Sequence, residues 1–289
     1  MHRRPFGWPG LSFVVLRLWP FPGLPAYASC RMDRAYWEEK GRAHETEIFD
    51  AYAEDRSGVL ARRLRQIARR HSGGRAADLG CGTGKAIPRL AALYSEVEGI
   101  DLSASCIAAA RSALGERPGV TLRRGNLARR LAIRPADFVL CVHVLIMPDE
   151  RTRACVGRIL ARTLKPGGHA LVAVPSLESA LWSARNLYEW ERRDGQSPPA
   201  ARRSIARLLP GLGSPALAEG ILPIDGVPTK HYLQEEFAPL ARSWGLRLER
   251  VERIPYAWSS EFRHPPGWMQ DARPWDWLAV FYKPLPVNN

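Results

Sequence analysis

Asp78, Gly80, Gly82 and Gly84 fall within Ala-Ala-Asp-Leu-Gly-Cys-Gly-Thr-Gly at residues 76–84, a short apolar run that breaks into alternating glycines. A strand that must stop and feed a helix needs positive φ angles and room for a ligand against the main chain, and glycine supplies both. Asp78 narrows the chemistry. A carboxylate at the end of the strand would repel a pyrophosphate, but it suits a ligand that carries an ammonium and a sulfonium.

Two other glycine-turn readings fail on the letters. A phosphate-cradling P-loop needs glycine at position 79 and Ser or Thr at 86, where the chain has Leu and Ala. The dinucleotide fingerprint needs its third glycine at 85, where Lys85 stands, one residue after Gly84. A second run, residues 95–101, ends in Asp101 where the parallel neighbour in a βαβ unit should end, and an acid there accepts hydrogen bonds from both ribose hydroxyls. Ser103 caps a helix over 103–114. A third strand from Val120 closes at Gly125-Asn126-Leu127, where the Asn126 amide either meets the edge of a base or serves as a turn residue. A nucleoside with a cationic tail fits these features, which points to S-adenosylmethionine.

Residues 73–176 resemble the class I S-adenosylmethionine-dependent methyltransferases, within the group that acts on small molecules. Asp78-Leu-Gly-Cys-Gly-Thr-Gly matches the first family motif and Ile100-Asp101 the second; Ala136–His143 resembles the fourth strand and Leu164-Lys-Pro-Gly-Gly-His-Ala-Leu-Val the turn and strand after it. The resemblance implies that Gly80 and Gly82 lie against the methionine part, that Asp78 holds its amino group and that Asp101 holds the ribose. It also sets Cys81, Gly84, Leu102, Leu127 and His143 along the cofactor. Asn126 stands where the family more often has Asp, so its adenine contact departs from the pattern.

The implied fold is α/β, a Rossmann-like, doubly wound, seven-stranded and mostly parallel sheet of order 3-2-1-4-5-7-6 with strand 7 antiparallel. The core motifs continue as a helix over 151–164 and a fifth strand over 169–174. Leu246–Ile254 and Trp275–Tyr282 are the β-rich runs for the last two strands, joined by an aromatic, proline-rich linker, and a helix runs from Gln234 to Trp244. The expected organisation is an irregular extension over 1–31, a helical cap over 32–72, a core over 73–176 and 229–284, and a helical insertion or lid over 177–228. Within that insertion, Leu181, Ala184, Leu187 and Tyr188 recur at helical spacing, a basic helix covers 200–209, and 221–228 reads as loop with at most a short strand.

The chain has 289 residues and is 46% hydrophobic, enough for one α/β domain with additions. Its net charge of +13 invites a nucleic-acid reading. Of the 42 basic residues, however, lysine occurs only at 40, 85, 165, 230 and 283, and the arginines are spread along the chain. That pattern suits compositional bias and solvated helix faces, so nucleic acid is not the expected partner. Five cysteines without metal-ligand spacing indicate no metal site and suit free thiols in the cytoplasm. The apolar run Leu11–Leu16 is too short and too broken for a membrane span, so no stable insertion is expected. For residues 1–31 two expectations stand: that Met32 is the true start, which is preferred, or that they form a disordered or surface-bound tail. The oligomeric state is left open.

Methyl transfer is a displacement at the sulfonium carbon, so alignment and exclusion of water carry most of the catalysis. Where an acceptor needs a general base, His143 at the end of strand four is the first candidate and His231 the second, with His169 read as structural. Tyr36, His44, Trp182 and Tyr232 are the candidates for an acceptor pocket. There is no Asn/Asp-Pro-Pro-Tyr run for exocyclic base amines and no Pro-Cys pair to attack a cytosine ring. O-, N- or C-methylation of a small molecule therefore leads; an RNA methyltransferase and a non-catalytic cofactor-binding sensor or scaffold are the alternatives. Steep salt dependence of nucleic-acid binding would mark the first alternative and a decayed cofactor turn the second.

Overall fold

Ala76, Ala77 and Leu79 have no exposure at all, because β1 (Arg75–Leu79) lies at the centre of the sheet with both faces covered. The computed structural model describes residues 32–42, 50–209 and 215–286. His44 and the readings of residues 1–31 fall outside them.

Before β1 come α1 (Arg34–Arg42), α2 (Ala51–Glu54) and α3 (Val59–Ala68). After it follow α4 (Ile87–Ala91), β2 (Glu96–Asp101), α5 (Ala104–Leu114), β3 (Val120–Arg124), β4 (Ala136–Val142), α6 (Glu150–Thr163) and β5 (Leu164–Pro175). Ser103 accepts from the Cys106 N–H and Asp149 from the Thr152 N–H, so α5 and α6 begin at side-chain caps. The chain then makes an excursion: α7 (Leu177–Arg193), α8 (Pro198–Leu208), α9 (Pro215–Ala218), β6 (Ile221–Ile224) and β7 (Val227–Lys230). It returns through a 3-10 turn at Gln234–Glu236, α10 (Phe237–Ser243), β8 (Arg247–Pro255) and β9 (Trp275–Tyr282).

The large sheet has the order β3-β2-β1-β4-β5-β9-β8. β1 to β5 are parallel, and β9 is antiparallel to both β5 and β8. This is the expected 3-2-1-4-5-7-6 arrangement, with β8 and β9 as its sixth and seventh strands. On one face α6 and α10 bury Val156, Leu160 and Phe237; on the other α3 and α5 bury Leu60, Leu64 and Ile107. Each such side chain contributes roughly 1.5–3 kcal/mol relative to exposure.

Two expectations are corrected. Residues 221–228 are not a loop: β6 and β7 form an antiparallel hairpin, turned at Asp225 (φ 49°) and Gly226 (φ 77°). Positive φ at both central residues is the geometry that Asp-Gly favours. The helix expected over 234–244 divides into the 3-10 turn and α10. The excursion packs on the linker between β8 and β9, where Leu187, Leu208 and Leu222 meet Trp258, Phe262 and Met269. Among the described residues, no helix is long and apolar enough to cross a membrane.

Candidate active site

The main-chain bend after β1 is closed by N–H groups of Gly80 and Cys81, both donating to the Ile100 carbonyl at 2.7 and 3.0 Å. Gly80 has φ 78°, and a Cβ there would stand 2.2 Å from Val144 Cγ2, so only glycine fits. The next turn is pinned by Asp101. Its two carboxylate oxygens accept from the N–H groups of Gly82 and Ser103, each at 2.9 Å. Burial nevertheless raises the Asp101 pKa above its ordinary value, against those hydrogen bonds.

Asp78 pairs in register with Gly99, so Asp101 lies two residues further along the adjacent strand. Strand rise and spacing put the two backbones roughly 8 Å apart. Both acids line one cavity of about 730 Å³ at the carboxyl ends of the strands, together with Gly80, Cys81, Gly82 and Leu102. Asn126, Leu127 and His143 complete the set of sequence candidates in its wall. Asp78 is only 3% exposed. The Asn126 side-chain oxygen accepts from the Ala128 N–H at 2.8 Å, so it makes the turn as well as facing the cavity. Gly84 is outside the wall: its φ is 79°, and a Cβ there would press on Ala110 and Leu114 of α5. Its glycine serves close helix packing.

Glu38 of α1 docks the cap onto this site. Its carboxylate accepts from the Ala104 and Ser105 N–H groups at 2.9 and 3.1 Å and from the hydroxyls of Ser103 and Ser105 at 3.1 and 2.9 Å. The Ala104 N–H and then the other donors, working against partial desolvation, hold its pKa at about 2. This docking turns Trp37 into the cavity wall. Tyr36, the sequence candidate, instead meets Trp37 edge to face at 4.9 Å and is not part of that wall.

A second, smaller cavity of about 90 Å³ lies between the sheet and the excursion, walled by Pro175 and Ser176 from the sheet side and by Ala180, Leu208 and Leu222 from the excursion. His143 and Ile146 line both cavities. His143 follows β4 in a left-handed conformation, φ 54°, and its main-chain N–H donates to the Ala173 carbonyl. Its Nε2 lies 2.7 Å from the carboxylate of Asp276, which is 5% exposed. Asp276, on β9, was not among the sequence candidates.

His231 also lines the smaller cavity, with Nδ1 3.0 Å from the Thr229 carbonyl. Beside it, the Tyr256 hydroxyl donates to Glu261 at 2.6 Å, and burial pushes the Tyr256 pKa well up. Trp182 and Tyr232 line neither cavity. Trp182 donates to the Ala272 carbonyl at 3.4 Å, and the buried Tyr232 donates its hydroxyl to the Leu145 carbonyl and stacks on Phe237. Both are packing residues, a correction to the pocket expected from sequence. His169 of β5 pairs in register with Phe138 near the start of β4 and sits with His71 at 3.0 Å, outside both cavities.

Burial brings the pKa values of both His231 and His169 down to about 4, so each is neutral in the folded protein. With an unfolded value near 6.5, stability is complete above that pH and is lost as pH falls toward 4. His231 alone accounts for about 2 kcal/mol between pH 7 and pH 5. Urea midpoints should therefore drop over this range, and His231→Gln should shrink the drop. An unchanged drop would show that the ring is not buried neutral.

The described residues contain no cluster of His, Cys, Asp or Glu that could hold a metal ion. Residues 76–168 match a family described as a methyltransferase domain. Over 154 residues the chain is 29% identical to a carboxy-S-adenosyl-L-methionine synthase of Chromohalobacter salexigens, a match that covers 48% of this chain and 56% of that protein. The chain thus spans about half the length of the curated relative it matches. Among solved structures, magnesium protoporphyrin IX methyltransferase of Synechocystis PCC 6803 with bound SAH aligns with a TM-score of 0.54 at 14% identity, covering 86% of this chain and 97% of that one. A SAM-dependent methyltransferase of Methanosarcina mazei aligns with a TM-score of 0.53 at 19% identity, covering 76% and 98%. These likenesses carry the fold.

Proposed function

We propose, from the premise that residues 73–176 and the strands completing their sheet form a class I S-adenosylmethionine-dependent methyltransferase domain, that this protein methylates a small-molecule acceptor held under the excursion. One observation carries the reading: His143 is a common wall of the large nucleoside-sized cavity and the smaller cavity beside it.

The residues present fit the cofactor. Each Asp101 oxygen accepts one backbone N–H, and a carboxylate oxygen has a second lone pair for a ribose hydroxyl. Asp78, buried at the strand end, suits the amino group, and Trp37 offers an apolar wall. Asn126 has committed its oxygen to Ala128, so its NH₂ is the group it can offer to a ring nitrogen. Bound there, S-adenosylmethionine supplies an electrophilic methyl group on sulfur.

The chain's own work is alignment and proton management. The turn at 80–82 fixes one reactant and the smaller cavity the other, which saves the entropy of bringing them together. Asp276 orients His143 and holds its proton on Nε2, so that Nδ1 carries the lone pair for an acceptor proton. Among the described residues, the wall of the smaller cavity holds no Lys or Arg, which favours a small molecule over a nucleic acid. Four described cysteines are free thiols, in keeping with a cytoplasmic enzyme.

Calorimetric titration with S-adenosylhomocysteine tests the premise and should give saturable binding. A radiolabelled methyl screen against small-metabolite extracts then tests turnover. Absence of both heat and thermal shift would end the enzyme reading.

A further inference from the structure

We propose that a groove between α3 and β8 binds a chain of linked phosphoryl groups, such as the pyrophosphate or triphosphate of a small molecule, at a site separate from both cavities above. The groove is about 390 Å³ and is walled by Arg63 and Gln66 of α3, by Arg70 just after that helix, and by Arg247, Glu249 and Arg250 of β8. It shares no wall residue with either of the other cavities. The site therefore stands whatever reaction the protein catalyses.

Two separate backbone devices bring the four guanidiniums together. Arg63 and Arg70 are two helical turns apart in the sequence, so both reach one face, about 10 Å from each other along the axis. Arg247 and Arg250 are separated by an odd number of residues, which in a regular strand would send them to opposite faces. The register of β8 on β9 slips between Leu248 and Arg250, a bulge that makes Glu249 the extra residue and returns Arg250 to the face of Arg247.

The carboxylates at hand do not balance these charges. Glu252 takes Arg63, accepting from its Nε and, at 2.7 Å, from Nη2. Glu249 is shared between Arg70 and Arg247 at 3.7 and 3.6 Å, too far for a full hydrogen bond to either. Arg250 makes no hydrogen bond or ion pair with any described residue. The Arg63 hydrogen bond first, and then the charges of Arg63, Arg250 and Arg62, hold the Glu252 pKa below its ordinary value, against partial burial. A concave wall with surplus charge of one sign focuses its field on a ligand of the other. Guanidinium forks pair bidentately with phosphoryl oxygens, and a row about 10 Å long suits two or three such groups in series rather than one. The rest of the wall is aliphatic, Ile67, Leu248 and Val280, and among the described residues it offers no ring for a nucleobase to stack on. That sets a small phosphorylated ligand ahead of single-stranded nucleic acid.

The test is calorimetric titration of the full chain, at one ionic strength and without divalent cations, with tripolyphosphate, orthophosphate, tricarballylate and a short single-stranded RNA. Tripolyphosphate should saturate a single site and bind about tenfold more tightly than orthophosphate or the tricarboxylate. Arg250→Ala and Arg247→Ala should each weaken it about tenfold. Arg253→Ala makes the same charge change on a side chain that stacks over Trp275 at 3.9 Å, outside the groove wall, and should leave binding within about twofold. Glu249→Gln should tighten binding about threefold by withdrawing the competing carboxylate, a gain that a merely structural arginine cluster would not show. Melting curves check that each variant is folded, and Arg250 has no internal partner to lose. An equal loss in the Arg253 variant, tricarballylate or RNA binding as tightly as tripolyphosphate, or no saturable binding would each overturn the proposal.

Discussion

Asp101→Ala should weaken S-adenosylhomocysteine at least a hundredfold while the protein remains folded. Hydrogen bonds to a charged group contribute roughly 1.5–3 kcal/mol each, and the substitution removes two from the ribose. It also releases the Gly82 and Ser103 N–H groups, so the turn that receives the ligand loosens. Asp101→Asn, which keeps one acceptor oxygen, should lie between the two. Calorimetry gives the affinity, and a melting curve separates loss of binding from loss of fold. An affinity within threefold of the original would place the nucleoside elsewhere.

His143→Asn should lower kcat by about 10²–10³ with little change in S-adenosylhomocysteine affinity, because general-base catalysis contributes on that scale. Asparagine is the informative replacement because it tolerates the left-handed backbone at φ 54°. Asp276→Asn should lower kcat for a different reason. The new amide donates to Nε2, drives the ring proton onto Nδ1 and removes the base without moving it. In the proposed function Asp276 acts as a positioning residue, and its variant should also shift the acidic limb of the pH–rate profile. If both variants kept full kcat, the acceptor would need no base and the pair would be structural.

The first three strands were legible because each announces its end chemically, and the fourth and fifth were legible through their resemblance to the family pattern. Asp78 before the glycine turn, Asp101 before Ser103 and Gly125 after β3 mark strand exits that no tertiary contact had to supply. The hairpin at 221–230 was equally written, in Asp225-Gly226, but its four-residue strands are the shortest that alternation can register and each is interrupted by a proline, Pro223 and Pro228. Asp276 was not legible. It lies within the aromatic run of β9, and only the antiparallel register that pairs it with Pro175 brings it to His143, 133 residues away. Trp182 and Tyr232 misled for a related reason: in sequence an aromatic looks the same whether it lines a pocket or fills a core. Tyr36 and Trp37 are neighbours on α1, and the phase that sends Trp37 inward is set by where Glu38 finds the first turn of α5.

The division of labour around His143 has an evolutionary consequence. In the proposed function the nucleoside is held by main-chain turns and strand ends, whose geometry the sheet register dictates, so drift there would be punished twice. Ala180, Leu208 and Leu222 belong to a detour that contributes no strand to the large sheet. Descendants of this chain can therefore exchange one acceptor for another by rewriting that detour, and inherit the donor machinery intact.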